Sequence, residues 1–298
     1  MSAIFSQIFL LFGLMMIGYI VNKVKVMDEV AEKKISKLIV NVTIPATILY
    51  SSMSQGVEDK TRILWVIVVA VAVFLITPML SSMAVRTFKM DKTFKLMLNY
   101  SNLGFMGIPI VSSIYGGNAV FDVSIFMMVF NISLFSHGIS ILQEGHGTKT
   151  EALKNMLNPG ILSAVIALGI FLLDIPVPLP LASLCSSVGS ITTPLAMIVI
   201  GSTMASISIK EVIQDKEIYL YTIMKIILIP AVIWFILQFF VQDPMILGIA
   251  VILSSLPTAG NVSMLCSEYN GNIGLVTKGI FMSTLCSIVT IPILLIIF

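Results

Sequence analysis

Ten apolar windows follow one another along this chain, at approximately 4–21, 36–53, 63–85, 94–115, 119–142, 159–174, 179–205, 217–240, 245–267 and 272–297, and together they use nearly all of its 298 residues. A hydrocarbon core of roughly 30 Å takes about 17–25 helical residues to cross, so the windows are of spanning length. Hydrocarbon offers backbone groups no partner, and a span without strand-like alternation closes its hydrogen bonds only as a helix. Composition agrees: 57% of residues are hydrophobic, 11% are charged, and the mean hydropathy is +1.04, far from the usual soluble mix. The expected fold class is an all-α polytopic membrane protein with ten transmembrane helices. The connections are short, so any binding site is expected within the helices themselves.

Orientation follows from the basic residues. Fourteen of the seventeen Lys and Arg lie in loops after odd-numbered windows, from Lys23 and Lys25 through Arg86, Lys89 and Lys92 to Lys278, whereas the even side holds only Lys60 and Arg62. The odd loops are therefore expected to be cytoplasmic and both termini outside. The net charge of +2 belongs to this bias, and no basic patch with interleaved aromatics points to nucleic acid. Lysine-rich, arginine-poor usage fits a low-GC bacterium, whose inner membrane is then the expected location.

Other classes have less support. The first window lacks a preceding basic residue and a following small-residue cleavage site, so it is expected to be a structural helix. Cys185, Cys266 and Cys286 all fall in apolar windows without CxxC spacing, and His137 and His146 have no ligand-spaced neighbours, so neither a metal nor a cofactor is expected. HExxH, GxSxG, paired intramembrane aspartates and GK[ST] phosphate loops are all missing, which argues against an enzyme.

The chain repeats itself weakly. Aligning windows 1–5 with 6–10 brings Thr43-Ile44-Pro45 opposite Thr192-Thr193-Pro194, and Tyr115-Gly116-Gly117-Asn118 opposite Tyr269-Asn270-Gly271-Asn272. Five helices per repeat is an odd number, so the second copy enters the membrane from the opposite side. The expected organisation is a first five-helix repeat over 1–142, a cytoplasmic linker over 143–157, and an inverted repeat over 158–298.

At matching places, windows 4 and 9 are interrupted: Asn102-Leu103-Gly104-Phe105-Met106-Gly107-Ile108-Pro109 in one, Leu256-Pro257-Thr258-Ala259-Gly260-Asn261 in the other. Unpaired backbone groups at membrane depth are tolerated only where they are buried in protein or line a cavity. Half-helix ends carry free N–H groups and a partial charge that can hold a carboxylate. Asn102, Asn261 and Thr258 add donors and acceptors, and Gly104 and Gly107 let a backbone or a ligand come close. The plainer alternative is that these residues only kink and pack helices. Thr43, Pro45, Thr193 and Pro194 stand between the same two readings, as cavity-shaping residues or as kinks.

Asn102-x-x-x-Met106-Gly107-Ile108-Pro109 followed by Tyr115-Gly116 resembles the fourth helix of auxin efflux carrier family transporters. Asn158-Pro159-Gly160, Pro194-Leu195-Ala196-Met197 with Gly201, and Leu256-Pro257 followed by Glu268-Tyr269 resemble that family's sixth, seventh and ninth helices. The resemblance covers essentially the whole chain and is greater to the short bacterial members, often called malate or malonate permeases, than to the plant carriers with their long central loop. It implies ten helices in two inverted repeats and broken helices 4 and 9 crossing at their prolines. It also implies a scaffold built from spans 1, 2, 6 and 7, a homodimer, and a small organic anion as substrate, a mono- or dicarboxylate such as malate or an auxin-like acid, carried by alternating access. An anion channel and a ligand sensor on the same scaffold are the alternatives.

Coupling to a proton or to sodium usually leaves an acidic residue near the bilayer centre, and here Asp122 and Glu268 sit at or near window ends. Lys225 is the only full charge well inside a window. It can snorkel to the interface, pair with a carbonyl, or serve as coupling or counter-charge to the substrate.

Overall fold

The computed structural model describes residues 2–53, 60–143, 159–206, 209–269 and 271–297. Among them every regular element is helical, and five helices are long and apolar enough to cross a membrane: Thr61–Phe88, Ala119–Leu142, Leu179–Ala205, Lys216–Leu237 and Ile273–Leu294. Shorter apolar helices run over Phe9–Lys23, Leu103–Tyr115, Leu162–Leu172 and Pro244–Ser255. Window 2 is a continuous helical run through Glu29–Leu38, Ile39–Thr43 and Ile44–Met53. Windows 4 and 9 differ in kind, each being two short helices with extended backbone between them: Thr93–Asn99 then Leu103–Tyr115, and Pro244–Ser255 then Gly260–Glu268.

Local chemistry accounts for several boundaries. Asp28 caps Glu29–Leu38 by accepting from the Ala31 N–H at 2.7 Å, and Asp243 accepts from the Met245 and Ile246 N–H groups at the head of Pro244–Ser255. Pro244, first in its helix, lacks an N–H where none is needed.

Prolines elsewhere act by widening a turn. Single π-helical turns over Ile39–Thr43, Leu103–Gly107 and Met224–Leu228 end two residues before Pro45, Pro109 and Pro230. A proline ring strikes the carbonyl four residues back and donates no hydrogen bond, and a wide turn absorbs both effects without stopping the helix. Pro78 and Pro292 sit inside unbroken helices.

The chain forms two compact units that cut across its sequential halves. The first gathers Met1–Val66, Gly104–Met128 and Leu157–Ser206; the second gathers Ile67–Leu103, Val129–Met156 and Ile207–Phe298. Residues 144–158, which hold nearly all of the expected linker, lie outside the described residues.

Within the first unit, Phe9–Lys23 and Thr192–Ala205 approach closely at two glycines. A Cβ on Gly18 would stand 2.0 Å from the Ile198 carbonyl oxygen, and one on Gly201 would stand 1.8 Å from that of Met15. Backbones touch there, as small residues permit between membrane helices. A polar cluster ties Glu29–Leu38 to the same two elements: the buried Glu32 carboxylate accepts from Ser202 Oγ at 2.5 Å, Thr203 Oγ1 at 3.1 Å and Asn22 Nδ2 at 3.2 Å.

The second unit packs Phe94, Leu96, Met97, Leu98, Tyr100 and Tyr221 into its core, all fully buried. Gly279 admits this packing, since a Cβ on it would lie 2.0 Å from the Met97 terminal methyl.

Candidate functional site

The candidate site is the meeting of the two helix breaks, both inside the second unit. Tyr100 leaves the helix with φ −115° and ψ 99°, and Leu256 and Ala259 are likewise extended. The two extended stretches run antiparallel, with Ser101 opposite Thr258. Asn102 N–H donates to the Pro257 carbonyl at 2.8 Å, and Ala259 N–H donates to the Tyr100 carbonyl at 2.9 Å.

Pro257 explains one break: it has no N–H to donate and drives the preceding Leu256 to extended backbone. The other break was expected at Pro109 and falls instead at Tyr100–Asn102. Pro109 lies buried beyond the wide turn, at the start of Ile108–Tyr115. The crossing therefore has a proline on one side only; on the other, pairing with residues 257–259 replaces the lost helical hydrogen bonds.

Side chains satisfy what the bridge leaves over. The half-helix Thr93–Asn99 ends with carbonyls lacking intrahelical partners. Thr258 Oγ1 donates to the Met97 carbonyl at 2.7 Å, and Lys225 Nζ donates to the Leu98 carbonyl at 2.8 Å and to Ser101 Oγ at 2.8 Å. The Tyr221 and Thr258 hydroxyls are hydrogen-bonded to each other. Ser101 Oγ also reaches the Ser254 carbonyl, at 3.5 Å.

Lys225 does not snorkel. It is 1% exposed, and its ammonium points to the opposite helix break. Asn102, the residue after Ser101, and Asn261, in the first turn of Gly260–Glu268, are both half-buried. Thr258 is fully buried and directed to its neighbours, a structural position more than a substrate-facing one. Gly260 has open space where a Cβ would stand, so no backbone requires a glycine there. The Glu268 side chain lies outside the described ones.

Sequence reasoning passed over Asn99. It ends the first half-helix, is 3% exposed, and neither its amide nitrogen nor its amide oxygen has a hydrogen-bond partner among the described residues. Such a group in a native interior calls for a water, an ion or a ligand. Its one signal in the sequence is an amide in an otherwise apolar run three residues before Asn102.

The remaining candidates lie in the first unit. Gly104 is close enough to Ile44 for a Cβ to stand 3.2 Å from its terminal methyl, and Gly107 is buried. Thr43 is buried with its hydroxyl directed to its own helix, at the Ile39 carbonyl. The threonine contact between these segments is made by Thr47 and Thr192, whose hydroxyls are 2.9 Å apart. Thr193 is half-buried and Pro194 exposed, one and two residues past Thr192. Asp122, 1% exposed, is held by Arg62 through two hydrogen bonds of 3.0 and 2.7 Å. Among the described residues no cluster of His, Cys, Asp or Glu is arranged to hold a metal.

Paired helix breaks joined backbone to backbone, with polar groups gathered on them in a helical, strongly apolar chain, are the features of a membrane carrier. A family profile described as "Membrane transport protein" matches residues 3–152 and 148–295. The chain belongs to this family, the auxin efflux carrier family that its motifs resemble. It is 24% identical over 304 residues to a protein of Rhizobium meliloti (strain 1021) provisionally named a malonate transporter, covering 98% of this chain and 94% of that one. It is also 23% identical over 298 residues to an uncharacterized transporter of Methanothermobacter thermautotrophicus (strain ATCC 29096 / DSM 1053 / JCM 10044 / NBRC 100330 / Delta H), covering 94% and 93% respectively. The family and both relatives are transporters, not enzymes.

Proposed function

We propose that the protein is a secondary transporter of small organic anions, mono- or dicarboxylates such as malonate or malate, working by alternating access with the substrate at the crossing of the two helix breaks. The observation that carries this reading is the bridge between Tyr100–Asn102 and Pro257–Ala259. Asn102 and Asn261, one and three residues past the bridged Ser101 and Thr258, are half-buried, and amides can donate to a carboxylate without a full charge. The Asn99 amide beside it, without a hydrogen-bond partner among the described residues, is a further polar group for the anion or its water. Malonate is the first substrate to try because a relative's name mentions it.

The same reading takes the chain as ten spans in two inverted five-helix repeats, with both termini outside, in a bacterial inner membrane and as a homodimer. The first compact unit holds windows 1, 2, 6 and 7 together with residues 104–128, and on this reading it supplies the scaffold. Of the two expected coupling ions, a proton rather than sodium is the one assigned here to Glu268. Asp122 is less suited, its carboxylate being already engaged by Arg62.

The test is uptake of radiolabelled malonate and malate by purified protein in liposomes, beside the electrical response to the same panel. Saturable uptake supports the carrier; large non-saturating currents indicate an anion channel; binding without uptake indicates a ligand sensor.

A further inference from the structure

We propose that Lys225 is a built-in cation, its ammonium standing at the helix break where a carrier of this kind would otherwise hold a dissociable monovalent cation, so that transport needs neither external sodium nor potassium.

The position of the charge comes first. Lys225 sits in the wide turn Met224–Leu228 and is 1% exposed. Its ammonium donates at 2.8 Å to the Leu98 carbonyl and at 2.8 Å to Ser101 Oγ. One oxygen belongs to the C-terminal end of a half-helix and the other to the unwound segment after it. Neutral oxygens at that kind of terminus, where the dipole is negative, are what sodium takes in transporters with broken helices. The lysine brings the same single charge on a tether, with N–H donors aimed at the oxygens that a metal ion would coordinate.

The charge balance comes second. Among the described residues no carboxylate pairs with Lys225. The ion pair of Lys278 with Asp215 in the same unit, at 3.0 Å, is complete in itself. A buried ammonium facing only neutral oxygens is poorly compensated, and its third N–H has no acceptor among the described residues. An arriving carboxylate corrects both deficits. Lys225 and both breaks belong to one compact unit, so the charge stays with the site through the cycle. A monoanion then crosses without net charge, and a dianion with a single one.

The proposal deepens the carrier reading, but one arm of its test is independent of any substrate. The purified protein is melted in sodium chloride and in choline chloride at equal ionic strength, as wild type and as Lys225→Met. The wild type is expected to melt alike in both salts. Lys225→Met is expected to melt lower by about 5 °C, with part of the loss restored by sodium or methylammonium and none by choline. The second arm is malonate uptake by the wild type with all sodium and potassium replaced by choline, where the rate is expected to be unchanged. Sodium-dependent melting or uptake of the wild type overturns the proposal, and so does a Lys225→Met protein that melts like the wild type in every salt. If Lys225→Met does not fold, the wild-type comparisons still decide. Failure of the wild type to take up any carboxylate overturns the carrier reading and leaves the melting result standing.

Discussion

Asn102 donates its backbone N–H to the Pro257 carbonyl oxygen at 2.8 Å, across 155 residues of sequence. A proline that breaks one helix thereby accepts the hydrogen bond that the other broken helix has lost. This places the Asn102 side chain at the crossing, and it makes the amide separable from the backbone that holds the crossing together. Asn102→Ala and Asn261→Ala keep the bridge and remove only an amide each. Each is expected to fold, with a stability change of about 0.6 kcal/mol, the typical size of one side-chain hydrogen bond between membrane helices. Each is also expected to lower carboxylate transport at least tenfold, about 1.4 kcal/mol, read as initial uptake rates at matched protein levels.

Thr258 has the opposite character. Its hydroxyl is buried and divided between the Met97 carbonyl and Tyr221. Thr258→Val keeps the shape and leaves that carbonyl unpaired, at a cost of about 1–3 kcal/mol. Melting of the purified protein is therefore expected to fall for Thr258→Val, while Thr258→Ser retains most of the stability.

The Arg62–Asp122 pair is a second structural element, in the first unit. Asp122 is 1% exposed and doubly hydrogen-bonded by the guanidinium. Arg62→Ala leaves a buried carboxylate unpaired and is expected to destabilise by about 3–5 kcal/mol. Adding Asp122→Asn should recover part of the loss. A double-mutant cycle on melting temperatures checks the coupling, and additive effects would show that the pair contributes little.

Gly201→Val tests the helix contact in the first unit. The new Cβ falls 1.8 Å from the Met15 carbonyl oxygen, so backbone must move. The expected result is a loss of about 3 kcal/mol or more, seen as aggregation or a sharply lowered melting temperature, whereas Gly169→Ala, which meets open space, should melt like the wild type.

The helices themselves were legible because an apolar window of spanning length has few alternatives in a membrane. The Pro257 break was legible for a local reason, since proline removes a donor and restricts its predecessor. The break at Tyr100 was not: no residue there forbids a helix, and its cause is pairing with a strand-like segment 157 residues later. Pro109 drew the expectation away because its local effect, a widened turn, looks like a break in sequence. Lys225 was legible as an unusual charge, but its partner Leu98, 127 residues distant, was not. The contact between the Thr47 and Thr192 hydroxyls was not legible, although Thr43 and Thr193 nearby drew notice as cavity-shaping or kinking positions, because sequence alone does not fix which face of a helix meets its neighbour.

The most direct test is uptake of radiolabelled malonate and malate into liposomes by the wild type and by Asn102→Ala, each verified as folded by its melting curve. Saturable uptake by the wild type that is largely lost in a folded Asn102→Ala protein is the predicted result. Saturable uptake that is equal in the two proteins, with Asn261→Ala unchanged as well, would contradict a substrate site at the helix crossing.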